Sequence, residues 1–432
     1  MTQLLLSPLR IRTETATLSN GMRVVVHEDR AAPVVAVHVM YHVGSRDEKA
    51  GRTGLAHLLE HLLFEGSQNC PKGEFDRVLE GVGGSNNGST WLDRTNYYEV
   101  VPTHAVELAL WLERERMAFF LPVLDEEMLE LQRGVVINER RQAYENRPYG
   151  MADERIHQLL FPADHPYSWP TIGYLPDLQQ IQLGDARDFF STYYTPRNAV
   201  LVLAGDISGD EGVRLAERYF GDVEPGPMLE DRPPPPAPRP GSSEVMEDRV
   251  SFPRLFQTYV TPPYGTRDWV CLDVLTYLLA DGDSSRLQRV LVRDRQLAQD
   301  VDTFLYPTEL SGIWGVVATA RSGISPEQLE GAIDEVLERV VNDSVSEDEV
   351  VGATRRARRD HVSGIATMEE RADELAYVTT LLGSPDELEK ILGMYATVTP
   401  DDVRSAAQRI LCPESRVRLS IVPGKGGKNA RR

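Results

Sequence analysis

Cysteine is scarce in this 432-residue chain, and Cys70, Cys271 and Cys412 are widely spaced. An odd, scattered set excludes a disulfide framework and fits a reducing compartment, the cytoplasm. No two of them stand at zinc-ligand spacing. Long apolar runs are missing as well. No stretch of about 20 apolar residues exists to cross a bilayer as a helix. Residues 1–10 hold a short apolar patch without a basic leader or a long apolar core, so they read as an arm or edge strand and not as an export signal. Basic charge is in deficit, with 46 Lys and Arg against 66 Asp and Glu and a formal net charge of −20. That argues against a nucleic-acid partner, whose phosphates call for clustered cations. It weakly favours basic or neutral peptides. Histidine is thin too: of nine, only His361 falls in the second half.

What is present concentrates in one short stretch, His57-Leu58-Leu59-Glu60-His61. Residues four apart on a helix lie one above the other. His57 and His61 therefore point the same way, with Glu60 beside them. Two such imidazoles can grip one zinc, and a carboxylate there can take a proton from a water on the metal. The order is the inverse of the commoner H-E-x-x-H zinc protease motif. Leu55, Leu58, Leu59, Leu62, Leu63 and Phe64 make this helix apolar on nearly every side. A buried helix would desolvate two histidines and a glutamate at a cost that a metal removes.

A catalytic zinc takes three protein ligands and leaves one position open. The candidate for the third is Glu139. Residues 125–146 read as a helix, capped by Asp125, with Glu126 and Glu127 in the first turn and Pro148 beyond its end. Met128, Leu131, Val135 and Val136 are expected to form its inner face, which Glu139 continues. The bland alternative pairs Glu139 with Arg140, Arg141 or another cation.

A proline-rich stretch, 225–243, reads as a semi-rigid linker between residues 1–224 and 244–432. The parts look like distant copies. Each ends in a helix, a proline, a strand and a glycine: near 185–194, Pro196, 200–203 and Gly205, then near 401–411, Pro413, 417–421 and Gly424. Asn20-Gly21 predicts a hairpin turn. Further strands are expected at 34–43, 255–261 and 314–320. Helices are expected at 104–119, 154–160, 211–220, 269–279, 326–341 and 348–368. Strands in groups followed by helices in groups predict an α+β layered fold with largely antiparallel sheets.

Nearly the whole chain resembles the M16 (pitrilysin-type, inverzincin) zinc metallopeptidases, in particular the short bacterial and processing-peptidase-like members. The resemblance rests on the inverted motif and on the 77 residues, positions 62 to 138, between His61 and Glu139. Gly83-Gly84-Ser85-Asn86-Asn87-Gly88-Ser89-Thr90, Asn138-Glu139-Arg140-Arg141-Gln142, Asp164-His165-Pro166-Tyr167 and Tyr194-Thr195-Pro196-Arg197-Asn198-Ala199-Val200 add to it. It implies two structurally related αβ domains facing across a cavity, with metal in the first alone. It implies His57, His61 and Glu139 as Zn²⁺ ligands, Glu60 as the catalytic base, and Asn87, Thr90 and Arg293 as substrate-binding residues. An edge strand at 83–90 would pair with an extended peptide. Two positions depart from the pattern. Gln132 stands where many relatives carry a second glutamate, and Gln299 where a substrate-holding tyrosine follows the arginine. Gln299 points to a homodimer or to a heterodimer with a non-catalytic homologue that supplies the missing group. The implied function is a zinc-dependent endopeptidase acting on unfolded or extended peptides. The rivals are a non-catalytic scaffold subunit of the same fold and a zinc hydrolase of another bond.

Overall fold

The computed structural model describes residues 10–230, 234–343 and 345–424. The arm expected at the start lies outside these, apart from Arg10. In the first half, six strands form one sheet: β1 (Glu14–Thr17), β2 (Arg23–Glu28), β3 (Val34–Tyr41), β4 (Ser85–Thr90), β5 (Thr95–Pro102) and β6 (Ala199–Gly205). Their order is β1-β2-β6-β3-β5-β4. Asn20-Gly21 does turn the β1–β2 hairpin, with Gly21 at φ +90°, where a side chain would be strained. The second half forms a five-stranded sheet from β7 (Ser242–Asp248), β8 (Arg254–Thr261), β9 (Ala298–Leu305), β10 (Gly312–Ala320) and β11 (Val417–Pro423). Its order is β7-β11-β8-β10-β9. β7 starts just inside the stretch read as linker.

With β1 set aside, the two sheet orders correspond strand for strand. In each, the first pair is parallel and the others antiparallel. The helix–proline–strand ending seen twice in the sequence is the helix Leu183–Tyr193 running into β6 and the helix Pro400–Ile410 running into β11, corresponding strands of the two sheets. The fold is therefore α+β, built from two related halves.

The helices of the first half are α1 (Leu55–Leu62), α2 (Glu74–Gly81), α3 (Val106–Ala118), α4 (Glu126–Arg140), α5 (Ala152–Leu160), α6 (Leu175–Leu178), α7 (Leu183–Tyr193) and α8 (Gly209–Phe220). Those of the second are α9 (Arg267–Ala280), α10 (Pro326–Asn342), α11 (Glu347–Ser363), α12 (Met368–Leu382), α13 (Asp386–Tyr395) and α14 (Pro400–Ile410). The single helix expected at 348–368 is interrupted. α11 stops at Ser363, and Thr367 with Glu370 forms a capping box that starts α12.

α12 decides how the halves meet. Every residue of β6 is buried, because both faces of its sheet are covered. Val24, Val26, Val37, Leu201 and Leu203 point into the core of the first half. The alternate residues Val25, Ala36, Met40, Val200, Val202 and Ala204 belong to the core shared with the second half. Each such valine, leucine or methionine contributes about 1.5–3 kcal/mol when fully buried, and each alanine about 0.8. Polar ties reinforce the seam: Asp373 on α12 meets His38 Nε2 at 3.0 Å and accepts from Asn96 Nδ2 at 2.8 Å. The halves thus pack directly along α12, and one of the cavities between them adjoins α1. No described helix is long and apolar enough to cross a membrane.

Candidate metal centre

α1 carries the His57–His61 stretch, and its start is fixed tightly. Gly54, at φ +88°, precedes it, and a Cβ there would meet the Ile172 carbonyl oxygen at 2.6 Å. The Glu48 carboxylate accepts from the backbone N–H groups of Gly54 at 2.9 Å and Ala56 at 2.8 Å. It satisfies orphan donors of the first turn and complements the helix dipole, although burial pushes its carboxyl pKa up. Leu55, Ala56, Leu58, Leu59 and Leu62 are buried beneath the helix. That burial leaves His57, Glu60 and His61 on the less buried side of the helix, where His57 lines a cavity.

Glu139 arrives from α4, whose cap is the expected one: Asp125 accepts from Met128 N at 2.9 Å. The chain leaves α4 in a π-helical turn, Arg141–Glu145, just past Glu139. The expected inner face of this helix is wrong in part. Val136 is buried, but Leu131 and Val135 are exposed, at 52% and 43%. The buried face is Leu129, Gln132, Arg133, Val136 and Arg140. Two arginines turn inward because backbone carbonyls await them. Arg133 Nη2 donates to Ile181 O at 2.6 Å and Arg140 Nη1 to Gly173 O at 2.7 Å, while Arg140 Nη2 binds Glu154 at 2.6 Å. Arg140 is thus engaged elsewhere, and Glu139 is left to the histidines.

The two rings lie 4.8 Å apart between centroids. One oxygen of Glu139 stands 3.4 Å from His61 Nε2 and 3.8 Å from His57 Nε2. Each of the three residues offers a ligand atom within 4.8 Å of the others, and no other such group occurs among the described residues. Tetrahedral zinc with bonds near 2.1 Å sets neighbouring ligand atoms about 3.4 Å apart. The donor set, two imidazoles and a carboxylate, and its spacing fit that ion.

Without metal the three groups interact with one another. Burial lowers the pKa of His57. Burial also works against charge on His61, but the Glu139 hydrogen bond and the Glu60 carboxylate raise its pKa overall. The His61 contact in turn holds the Glu139 carboxyl below its ordinary range. Gln132, read from sequence as the loss of a base, is a bridge: it hydrogen-bonds to His61 and donates to Glu65 Oε1 at 2.7 Å. An amide can orient an imidazole as a carboxylate would.

The adjoining cavity measures about 290 Å³, and its walls include His57, Glu139, Thr90, Trp91, Tyr144 and Tyr306. Tyr306 comes from the second half, and its hydroxyl donates to Asp153 at 3.0 Å. A larger cavity, about 780 Å³, lies behind the 168–174 segment but gathers no ligating set.

Of the remaining expected residues, Asn87 is exposed on β4, an edge strand. Thr90 is buried and donates its hydroxyl to Glu60 Oε2 at 2.5 Å. Arg293 does not line the cavity. It lies exposed on a π-helical turn and donates to Asp283 O at 3.2 Å. Gln299 donates to Ala320 O at 2.7 Å. Tyr306 was missed in sequence, for no motif marks it.

Comparison with known proteins places these features in a family. Residues 23–168 match the model described as Insulinase (Peptidase family M16), and residues 180–356 match Peptidase M16 inactive domain. The zinc protease PqqE of Helicobacter pylori is 30% identical over 367 residues, covering 83% of this chain and 81% of that protein. An uncharacterised zinc protease of Mycobacterium tuberculosis is 30% identical over 407 residues, covering 91% and 90%. The crystal structure of a protease from Helicobacter pylori aligns with TM-score 0.89 at 27% identity, over 96% of this chain and all of that one. With the inverted motif on α1 and relatives of this likeness over most of its length, the chain belongs to the M16 peptidase family.

Proposed function

We propose that this chain is a zinc-dependent endopeptidase that hydrolyses unfolded or extended peptides. The observation that carries the reading is the approach of His57, His61 and Glu139 to within 4.8 Å of one another, with Glu60 between the two histidines on α1 and outside its buried set. His57, His61 and Glu139 hold Zn²⁺. When bound, the ion supplies Lewis acidity, polarising a carbonyl and bringing the pKa of a water to about 7. Glu60 takes the proton of the attacking water and returns it to the departing amide nitrogen. β4 receives the substrate as an added strand, because its outer edge is unpaired. Extended chains meet that requirement and folded ones do not. Asn87, exposed on that strand, is a contact for the bound peptide.

Arg293 does not line the cavity of its own chain, so a role toward substrate there calls for a second subunit. With Gln299 at the tyrosine position, the reading includes a homodimer or a pairing with a homologous chain. A cytoplasmic location suits the three free thiols.

One observation favours a non-catalytic scaffold, namely Gln132 in place of a carboxylate. Two measurements separate the readings: metal content, and turnover of a quenched fluorescent peptide library by wild type and Glu60→Gln. Stoichiometric zinc with no cleavage by the wild type, even beside a homologous partner, would establish the scaffold.

A further inference from the structure

The hydroxyl of Thr90 bears on the candidate base and not on the peptide-binding edge. Thr90 ends β4, and its Oγ1 donates to Glu60 Oε2 at 2.5 Å. An ionised carboxylate only accepts, so the single hydroxyl proton of Thr90 is committed to it. Such O–H···O⁻ bonds are short and strong. Behind Thr90, Thr95 Oγ1 lies 3.4 Å away and bonds Val43 O at 2.9 Å. Thr90 itself is buried and β-branched, which stiffens its first side-chain torsion. The terminal torsion of a free glutamate is broad and nearly two-fold. A fixed hydroxyl on one oxygen removes that freedom.

We infer that Thr90 is a positioning residue: its hydroxyl pins one oxygen of Glu60 and leaves the other for proton transfer. This rests on Glu60 acting as the base. It also reassigns Thr90, which the resemblance placed among the substrate-binding residues. A peptide added to the edge of β4 would meet backbone there, while the Thr90 side chain works inward on α1.

The test compares wild type, Thr90→Val, Thr90→Ser and Glu60→Gln on a quenched fluorescent peptide, with zinc content measured for each. Loss of a supporting hydrogen bond of this kind costs about 10- to 100-fold in activity. Thr90→Val should lose that factor in kcat, keep KM within about twofold and keep its zinc, whereas Thr90→Ser should stay within about threefold of wild type. Should the valine variant not fold, Thr90→Ala makes the same comparison. A crystal structure of the zinc-loaded variant without the hydroxyl should show the Glu60 carboxylate spread over more than one orientation.

A wild-type kcat in Thr90→Val, a loss confined to KM, or one fixed Glu60 orientation would overturn the assignment. Glu60→Gln keeps the two ideas apart. If it still cleaves, Glu60 is not the base and the role of Thr90 falls with it. If it is inactive while Thr90→Val works normally, only the role of Thr90 falls.

Discussion

Glu309 of the second half stands 2.6 Å from the Arg46 guanidinium of the first. The same carboxylate meets His42 Nε2 at 2.5 Å, and the Glu309 N–H donates to Asp93 at 2.9 Å. Asp93 lies in the turn after β4 and also binds Arg46 at 2.8 Å. The hairpin that flanks the metal centre is therefore tied to the other half of the chain.

This tie predicts an acid-sensitive seam. Burial alone would raise the Glu309 carboxyl, but His42 and Arg46 hold it down at about 2. An unfolded glutamate titrates near 4.3. A depressed pKa contributes stability above the unfolded value, lost as pH falls from about 5 through about 2. The group is about a quarter exposed, so its contribution is about 2 kcal/mol after screening. Glu309→Gln should lose that amount at pH 7 and about half of it at pH 3 in urea unfolding. Equal losses at both would dissociate the carboxylate from the seam.

Glu60→Gln keeps the shape of the side chain and removes its basicity. Proton transfer by a positioned side chain contributes about 10²- to 10⁴-fold. The variant should retain full zinc and lose at least the lower figure in kcat. Cleavage at the wild-type rate would remove Glu60 from its role.

Glu139→Ala deletes the single oxygen donor while leaving α1 intact. Two imidazoles alone hold zinc weakly. The variant should emerge from dialysis against a mild chelator without metal, where wild type keeps one ion per chain. Its thermal midpoint should fall only slightly in the metal-free state, because the carboxylate is half-exposed and its contact with His61 is screened. Retention of zinc would name another third ligand.

The metal motif was legible because its spacing is local: helical periodicity alone brings His57 and His61 together. Glu139 was found through the family spacing, since a link between two helices leaves no periodic trace. The repeated helix–proline–strand ending disclosed the two halves, and the sheets bear it out. α12 escaped notice because it packs against strands of the other half and shows no simple apolar stripe. The Thr90–Glu60 bond joins residues 30 apart under no spacing rule. Gln132 looked like a deficit until its partners, His61 and Glu65, were in place.

The facing of α4 was misread for a physical reason that can be checked. The apolar spacing alone predicts an inner face through Leu131 and Val135, yet carbonyls at 173, 178 and 181 draw Arg133 and Arg140 inward and rotate the helix about its axis. Leu129 is then fully buried while Leu131 is 52% exposed. Both residues are leucine on one helix, so helix propensity cancels between them. Leu129→Ala removes packed methyl groups and should cost about 2–5 kcal/mol. Leu131→Ala should stay within about 0.5 kcal/mol. Denaturant unfolding of the metal-free chain reads both, and a larger loss at Leu131 would return that residue to the interior and reverse the facing of the helix that carries Glu139.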